Sequence, residues 1–354
     1  MAPHDDLRVA LIGYGHAGAV FHGPLIAATA GLRLAAVVTA DPARRAAAAA
    51  AHPEARLLPD AESLWQAAAD LDVVVIATPN RTHAPLGLAA LDAGLPVVID
   101  KPIATSPADA LRLIDAAHAR GTLLTVFQNR RWDGDYLTVR RLLADDVLGP
   151  IARFESRYER WRPEVKAGWR MHDAPDEAGG LLFDLGSHLI DQALCLFGPV
   201  RTVYAQLDSR RPGVLVDDDT FVALTHASGV RSHLWMSSVA AQPGARFRLL
   251  GRDGAFVKYG LDVQEDALRA GADPRAAGWG AEPPEAWGRL GIGGDARVVA
   301  TAAGDYPHFY RALVQALRNR GPVPVEPREA VAGLAVIEAA QRSARSAAVV
   351  LLDA

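Results

Sequence analysis

The run Arg8-Val-Ala-Leu-Ile-Gly13-Tyr14-Gly15-His16-Ala17-Gly18 joins a short apolar strand to G-x-G-x-x-G, and an amphipathic helical pattern follows. Gly13 permits a tight turn, and Gly15 lets the backbone approach a pyrophosphate. Gly18 lets the helix pack close on the strand, while the helix N-terminus faces phosphate charge. Tyr14, His16 and Ala17 lie between these glycines and join them as candidate cofactor contacts.

Such a turn carries weight only where strands and helices keep alternating after it. Here strands are predicted over 9–12, 32–38, 57–58, 73–77, 97–100 and 122–127, and helices over 17–30, 42–52, 62–69, 85–93 and 107–120. Continuous apolar strands between helices imply a parallel sheet covered on both faces, a doubly wound α/β domain. Near Asn129 the pattern changes. Helices over 135–143 and 181–196 accompany longer alternating strands over 151–158, 200–208, 220–226, 231–239 and 247–251. Arg252-Asp253-Gly254 then turns into a strand over 255–259, a hairpin signal. The Gly- and Pro-rich stretch 267–304 reads as loop, and helices over 306–320 and 327–343 precede a strand over 349–352. We therefore expect a dinucleotide-binding domain over 1–128. An α+β domain with a mostly antiparallel open sheet, for substrate binding and oligomerisation, should occupy 129–354. An open sheet face invites a partner subunit, so a homodimer or homotetramer is expected.

Composition narrows the partners. A net charge of −4 over 354 residues gives no electrostatic reason for nucleic acid or an anionic membrane. Cys195 is the one cysteine, which fits a reducing, cytoplasmic setting. Residues 1–8 are short and polar without an apolar signal core, and no apolar run reaches membrane-spanning length.

Four stretches carry candidate chemistry. After the second strand, Thr39 stands where a carboxylate for the ribose 2′-hydroxyl of NAD is expected, and Arg44 and Arg45 follow. Guanidinium beside a small hydroxyl accommodates a 2′-phosphate, so NADP(H) is preferred, with NAD(H) open because Asp41 is either the displaced acid or the N-cap of the helix that Pro42 opens. Thr78-Pro79-Asn80 ends the 73–77 strand, with His83 beyond it. These are cofactor contacts or turn and cap chemistry. Asp100-Lys101-Pro102 ends the next strand; Asp100 and Lys101 are candidate cofactor contacts there, and Lys101 either polarises a substrate oxygen or is a surface loop lysine. Asp184 and His188 are four apart, so a helix puts them on one face, about 6 Å apart along the axis. Asp191 shares that face. A carboxylate beside an imidazole raises its proton affinity and orients it as a general base. No third ligand has a metal-site spacing, so no metal is expected. Asn129, Trp132 and Tyr158 are aromatic or amide groups at strand ends near arginines, and Tyr306 is a further pocket candidate.

Together, the G-x-G-x-x-G, the Thr-Pro-Asn turn, Asp-Lys-Pro and Asp-x-x-x-His resemble the glucose–fructose oxidoreductase / inositol dehydrogenase family over nearly the whole chain. The family usually has Glu-Lys-Pro, so Asp100 is a conservative departure. The resemblance implies a Rossmann domain followed by an α/β domain whose open sheet mediates oligomer contacts. It also implies that Lys101, Asp184 and His188 are catalytic. Phe21-His22-Gly23-Pro24-Leu25-Ile26, Asn129-Arg-Arg-Trp-Asp-Gly-Asp135 and Phe183-Asp-Leu-Gly-Ser-His-Leu-Ile-Asp-Gln-Ala193 look most like NADP-dependent scyllo-inositol dehydrogenases. The expected activity is reversible hydride transfer between the nicotinamide and a secondary alcohol of a sugar or cyclitol. The alternatives are a non-catalytic nucleotide-sensing regulator of the same fold and a nicotinamide-dependent glycosidase.

Overall fold

The computed structural model describes residues 6–165 and 177–352, so the first five residues of the polar start lie outside it. Two compact units partition the chain: Met1–Asn129 with Gln264–Trp279 and Asp305–Val331, and Arg130–Val263 with Gly280–Gly304 and Ala332–Ala354.

The first unit is built on a six-stranded parallel sheet. Its strands are β1 (Leu7–Ile12), β2 (Leu32–Val38), β3 (Arg56–Leu58), β4 (Val73–Ile76), β5 (Val97–Asp100) and β6 (Leu124–Phe127). Their order, β3-β2-β1-β4-β5-β6, puts the direction reversal between β1 and β4, the place where doubly wound sheets bind ligands beyond their carboxyl ends. All four residues of β4 are fully buried, as a central strand covered on both faces requires. Between β1 and β2 the structure corrects the single helix predicted over 17–30. A π-helical stretch, Ala17–His22, leads into a short α-helix, Gly23–Ala28. Pro24 has no N–H to return to the preceding turn, and the Gly23 N–H reaches back five residues to the Gly18 carbonyl. The helix predicted over 62–69 is likewise divided, into Ala61–Trp65 and a 3₁₀ turn at Ala68–Asp70.

The second unit carries a mixed, mostly antiparallel sheet, nine-stranded among the described residues. It comprises β7 (Ile151–Glu159), β8 (Val200–Asp208), β9 (Asp219–His226), β10 (Arg231–Ser237), β11 (Phe247–Gly251), β12 (Ala255–Lys258), β13 (Gly288–Gly291), β14 (Arg297–Val299) and β15 (Val350–Leu351). Only the β7–β10 pair is parallel. Along β9, Thr220, Val222, Leu224 and His226 are buried and the alternate residues are half-exposed, the period of a sheet with one covered face. The helix Ser187–Phe197 packs on β7 and β10, where Phe154 lies 5.2 Å from Phe197 and 5.7 Å from Phe247 between ring centroids.

The stretch 267–304, read from sequence as loop, is corrected: it overlaps a helix, Gln264–Arg269, and contains β13 and β14. These strands are four and three residues long, too short for an alternating pattern to show. Gly288 is needed because a Cβ there would press on the Phe256 ring at 2.5 Å.

Candidate active site

The glycine turn has an inner and an outer side. Gly13 takes φ +97°, its N–H donates to the Val38 carbonyl at 3.0 Å, and a Cβ on it would collide with the Ala77 carbonyl. A Cβ on Gly18 would strike the Gly13 carbonyl, which keeps helix and strand in backbone contact. Gly15 is different. The nearest atom to a Cβ built there is Arg44 Nη1, at 3.8 Å, so this glycine faces open space beside a guanidinium. An open glycine at a helix start suits a dinucleotide pyrophosphate. Tyr14 turns its ring inward, edge-on to His52 at 5.9 Å, so only its backbone faces the turn. His16 is exposed, edge-on to Phe21, with Nε2 3.3 Å from Arg269 Nη2.

Among the groups after β2, Thr39 is buried, and its N–H donates to the Leu58 carbonyl. Asp41 caps the helix Pro42–Ala51 by accepting from the Arg44 N–H at 2.9 Å, the plainer of its two readings. Arg45 is tied to the Leu57 carbonyl at 3.1 Å. Of the two arginines, Arg44 stands by Gly15.

The turn after β4 is held by its own hydroxyls. Thr82 donates to the Pro79 carbonyl at 2.7 Å and lies 2.6 Å from the Thr78 hydroxyl. Asn80 is buried at the start of a 3₁₀ turn. His83 is buried and places Nδ1 2.7 Å from the Pro102 carbonyl and Nε2 2.9 Å from the Thr78 carbonyl. Its ring therefore lies between the Thr-Pro-Asn turn and the Asp-Lys-Pro loop, within hydrogen-bond distance of a carbonyl of each. Burial pushes the His83 proton affinity down against the pull of those carbonyls and of Asp100. The Lys101 N–H donates to Asp100 Oδ1 at 2.8 Å, and Lys101 is half-buried. Tyr306 is fully buried, 6.1 Å from the Phe21 ring, with its N–H donating to Gln264 Oε1.

In the second unit, Asp184 sits half-buried in a π turn, Leu182–Gly186, and His188 lies buried in the first turn of Ser187–Phe197. The predicted uniform helix is corrected here, because π geometry widens the turn that contains Asp184. Asp217 anchors this start: its backbone carbonyl accepts from the Leu181 N–H at 3.0 Å, and its Oδ2 accepts from the Leu182 N–H at 2.7 Å and the Thr220 hydroxyl at 2.6 Å. Gly186 allows close packing, since a Cβ would lie 3.1 Å from Met236 Cε.

Asp191 has a partner that its spacing did not signal. Both its oxygens accept from Arg131, at 2.8 and 2.6 Å, in a nearly buried pair. Next to it, Gln192 donates to the Arg130 carbonyl and accepts from Arg246, whose Nη1 donates to Ser156 Oγ at 2.6 Å. Tyr158 is fully enclosed among Arg130, Arg160 and Arg246, at 4.8, 4.5 and 5.8 Å from its ring, so its ring presents arginine contacts rather than an open face. Asn129 is buried and Trp132 half-buried. Residue spacing carried no signal for Arg131, Gln192, Arg246 or Asp217. Among the described residues no group of His, Cys, Asp and Glu could hold a metal ion, and no helix is long and apolar enough to cross a membrane.

Family models match both halves of the chain: "Oxidoreductase family, NAD-binding Rossmann fold" over residues 7–128, and "Oxidoreductase family, C-terminal alpha/beta domain" over residues 140–352. The chain belongs to the Gfo/Idh/MocA oxidoreductase family. It is 33% identical over 353 residues to scyllo-inositol 2-dehydrogenase (NADP(+)) IolW of Bacillus subtilis, covering 99% of this chain and 97% of that one. It is 39% identical over 352 residues to the Escherichia coli oxidoreductase YdgJ, covering 98% and 99%. The solved structure of yvaA from Bacillus subtilis superposes with a TM-score of 0.93 at 33% identity, covering 100% of both chains. Membership places the protein among NAD(P)-dependent dehydrogenases that act on CH–OH groups.

One carboxyl of the second unit makes stability pH-dependent. Burial pushes Asp133 well above its ordinary value, opposed by Arg130 at 3.5 Å and reinforced by the Asp262 and Asp135 charges. A raised acid keeps its proton longer folded than unfolded. Its stabilisation is complete below the unfolded value of about 3.9 and is lost as pH rises through the folded value. Asp133→Asn should therefore gain stability relative to the parent as pH climbs from about 4 towards neutrality. Urea unfolding midpoints across that range check this, and parallel curves for the two proteins would refute it.

Proposed function

We propose that this protein is an NADP-preferring oxidoreductase acting reversibly on a secondary alcohol of a sugar or cyclitol. The observation that carries the cofactor preference is Arg44 beside Gly15, with Thr39 rather than a carboxylate at the end of β2. A guanidinium there attracts a 2′-phosphate that a carboxylate would repel. IolW, a scyllo-inositol 2-dehydrogenase (NADP(+)) similar along nearly the whole chain, supports the substrate class.

The glycine turn, Thr78-Pro79-Asn80, His83 and Asp100 form the cofactor half of the reading; when bound, the nicotinamide supplies reversible hydride acceptance. Oxidation removes a proton from the substrate hydroxyl, and His188 receives it as general base. Asp184 orients that imidazole and favours its charged form. The Lys101 ammonium stabilises negative charge developing on the same oxygen. In the reverse direction His188 returns the proton. Asn129, Trp132, Tyr158, Asp184 and Tyr306 are the candidate substrate contacts of this reading.

We also infer a homodimer or homotetramer through the second unit's sheet. The half-exposed residues Phe221, His233 and Trp235, with Arg157 stacked 3.9 Å over Trp235, make a continuous aromatic face. The lone Cys195 fits a cytoplasmic setting.

A panel of polyols and sugars read at the reduced-nicotinamide absorbance band, with NADP and NAD in parallel, tests the reading. Lys101→Ala should lower kcat on the active substrate by about a hundredfold or more with cofactor affinity nearly unchanged; undiminished turnover removes Lys101 from the reaction. Arg44→Ala should weaken NADP binding about 10- to 100-fold and NAD binding far less, and equal losses would sink the preference. Light scattering should return a mass of two or four chains, and a single-chain mass opposes the sheet interface.

A further inference from the structure

A buried imidazole stands behind the loop that carries Lys101. His22, the last residue of the Ala17–His22 stretch, has no exposed surface and packs 4.4 Å from the Phe127 ring. Its Nδ1 lies 2.6 Å from the Tyr310 hydroxyl. Its Nε2 faces Asp100 Oδ2 at 3.8 Å, beyond hydrogen-bond distance, and has no other partner. If packing were all that this position needed, an apolar side chain would serve, because a buried polar ring is costly unless its nitrogens are used.

The proton positions follow from the neighbours. Burial and the Asp100 charge push the Tyr310 hydroxyl well above its ordinary value, so Tyr310 stays a phenol with one proton to give. Donation from Tyr310 to His22 Nδ1 leaves a ring hydrogen on Nε2, directed at Asp100. Burial pushes the Asp100 carboxyl up, but His22, Lys101 and His83 outweigh it and hold the group below the ordinary range, as a carboxylate. Asp100 Oδ1 in turn accepts the Lys101 N–H. The polar chain therefore runs from Tyr310 through His22 and Asp100 to the backbone of Lys101. On the loop's other side His83 reaches the Pro102 carbonyl.

We propose that His22 is a positioning residue for Lys101, acting through Asp100 and fixed in its tautomer by Tyr310. The functional part of this inference rests on the reading that Lys101 acts on the substrate oxygen. The clamp itself is physical and can be read without substrate, from amide exchange at Lys101 in the full chain by NMR or mass spectrometry. His22→Phe keeps a ring but removes both nitrogens, and it should speed that exchange about tenfold. His22→Gln can still direct an N–H at Asp100, and it should stay within about threefold of the parent. His22→Phe added to Asp100→Asn should exchange no faster than Asp100→Asn alone, since the first acts through the second.

Unchanged exchange in His22→Phe, equal acceleration in the Phe and Gln variants, or additive effects in the double variant would each overturn the clamp. Should His22→Phe fail to fold, Tyr310→Phe decides: it should accelerate Lys101 exchange, and an unchanged rate overturns the proposal. The two readings fail separately. Full turnover in Lys101→Ala removes the catalytic role and leaves the exchange result standing, whereas unaltered exchange removes the clamp and leaves the oxidoreductase reading in place.

Discussion

Three backbones meet at one point in the first unit: Gly13 at the end of β1, Gly18 in the following helix and Ala77 at the end of β4. No side chain fits between them, since a Cβ on Gly13 or Gly18 would overlap a carbonyl group. That contact sets the spacing of β1 and β4, the strands on either side of the sheet's reversal. It also decides what is left outside. With the first and third glycines committed to packing, Gly15 alone faces open space, and Arg44 stands beside it. The cradle for a dinucleotide is thus a by-product of close packing just beneath it.

The second unit is organised by buried polar pairs. Arg131 grips Asp191 with two hydrogen bonds, Arg246 spans Asp135, Ser156 and Gln192, and Lys258 meets Glu282 at 3.2 Å. Such pairs add little net stability, because desolvation offsets their attraction, but a broken pair leaves an uncompensated charge. Two of these groups, Arg131 and Arg246, hold Asp191 and Gln192 of the helix Ser187–Phe197. Asp217 caps the start of the π turn that holds Asp184, which leads into the α turn that holds His188.

Both loops read as functional in the first unit are pinned by histidines that do not themselves reach solvent. His83 lies between the Thr-Pro-Asn turn and the Asp-Lys-Pro loop, and His22 stands behind Asp100. On the proposed reading Lys101 meets developing charge, and it gains from a backbone that does not drift, because preorganised charge needs no rearrangement as the reaction proceeds.

Local periodicity was enough to read the parallel sheet, its strand ends and the glycine turn, because each depends on residues within one turn or one strand of each other. The same locality placed Thr39, Arg44, Lys101 and His188 at element ends. Short strands such as Arg297–Val299 escaped it, having too few residues to show a period. The partners escaped it as well. Asp191 pairs with a residue 60 positions away, Thr125 with one 200 away and His22 with one 288 away. Only the tertiary structure could decide that Gln264–Trp279 and Asp305–Val331 return to the first unit, or that Asp191 pairs with Arg131. Hydrogen bonds and ion pairs are satisfied by whatever group folding brings within reach, and spacing along the chain does not record that.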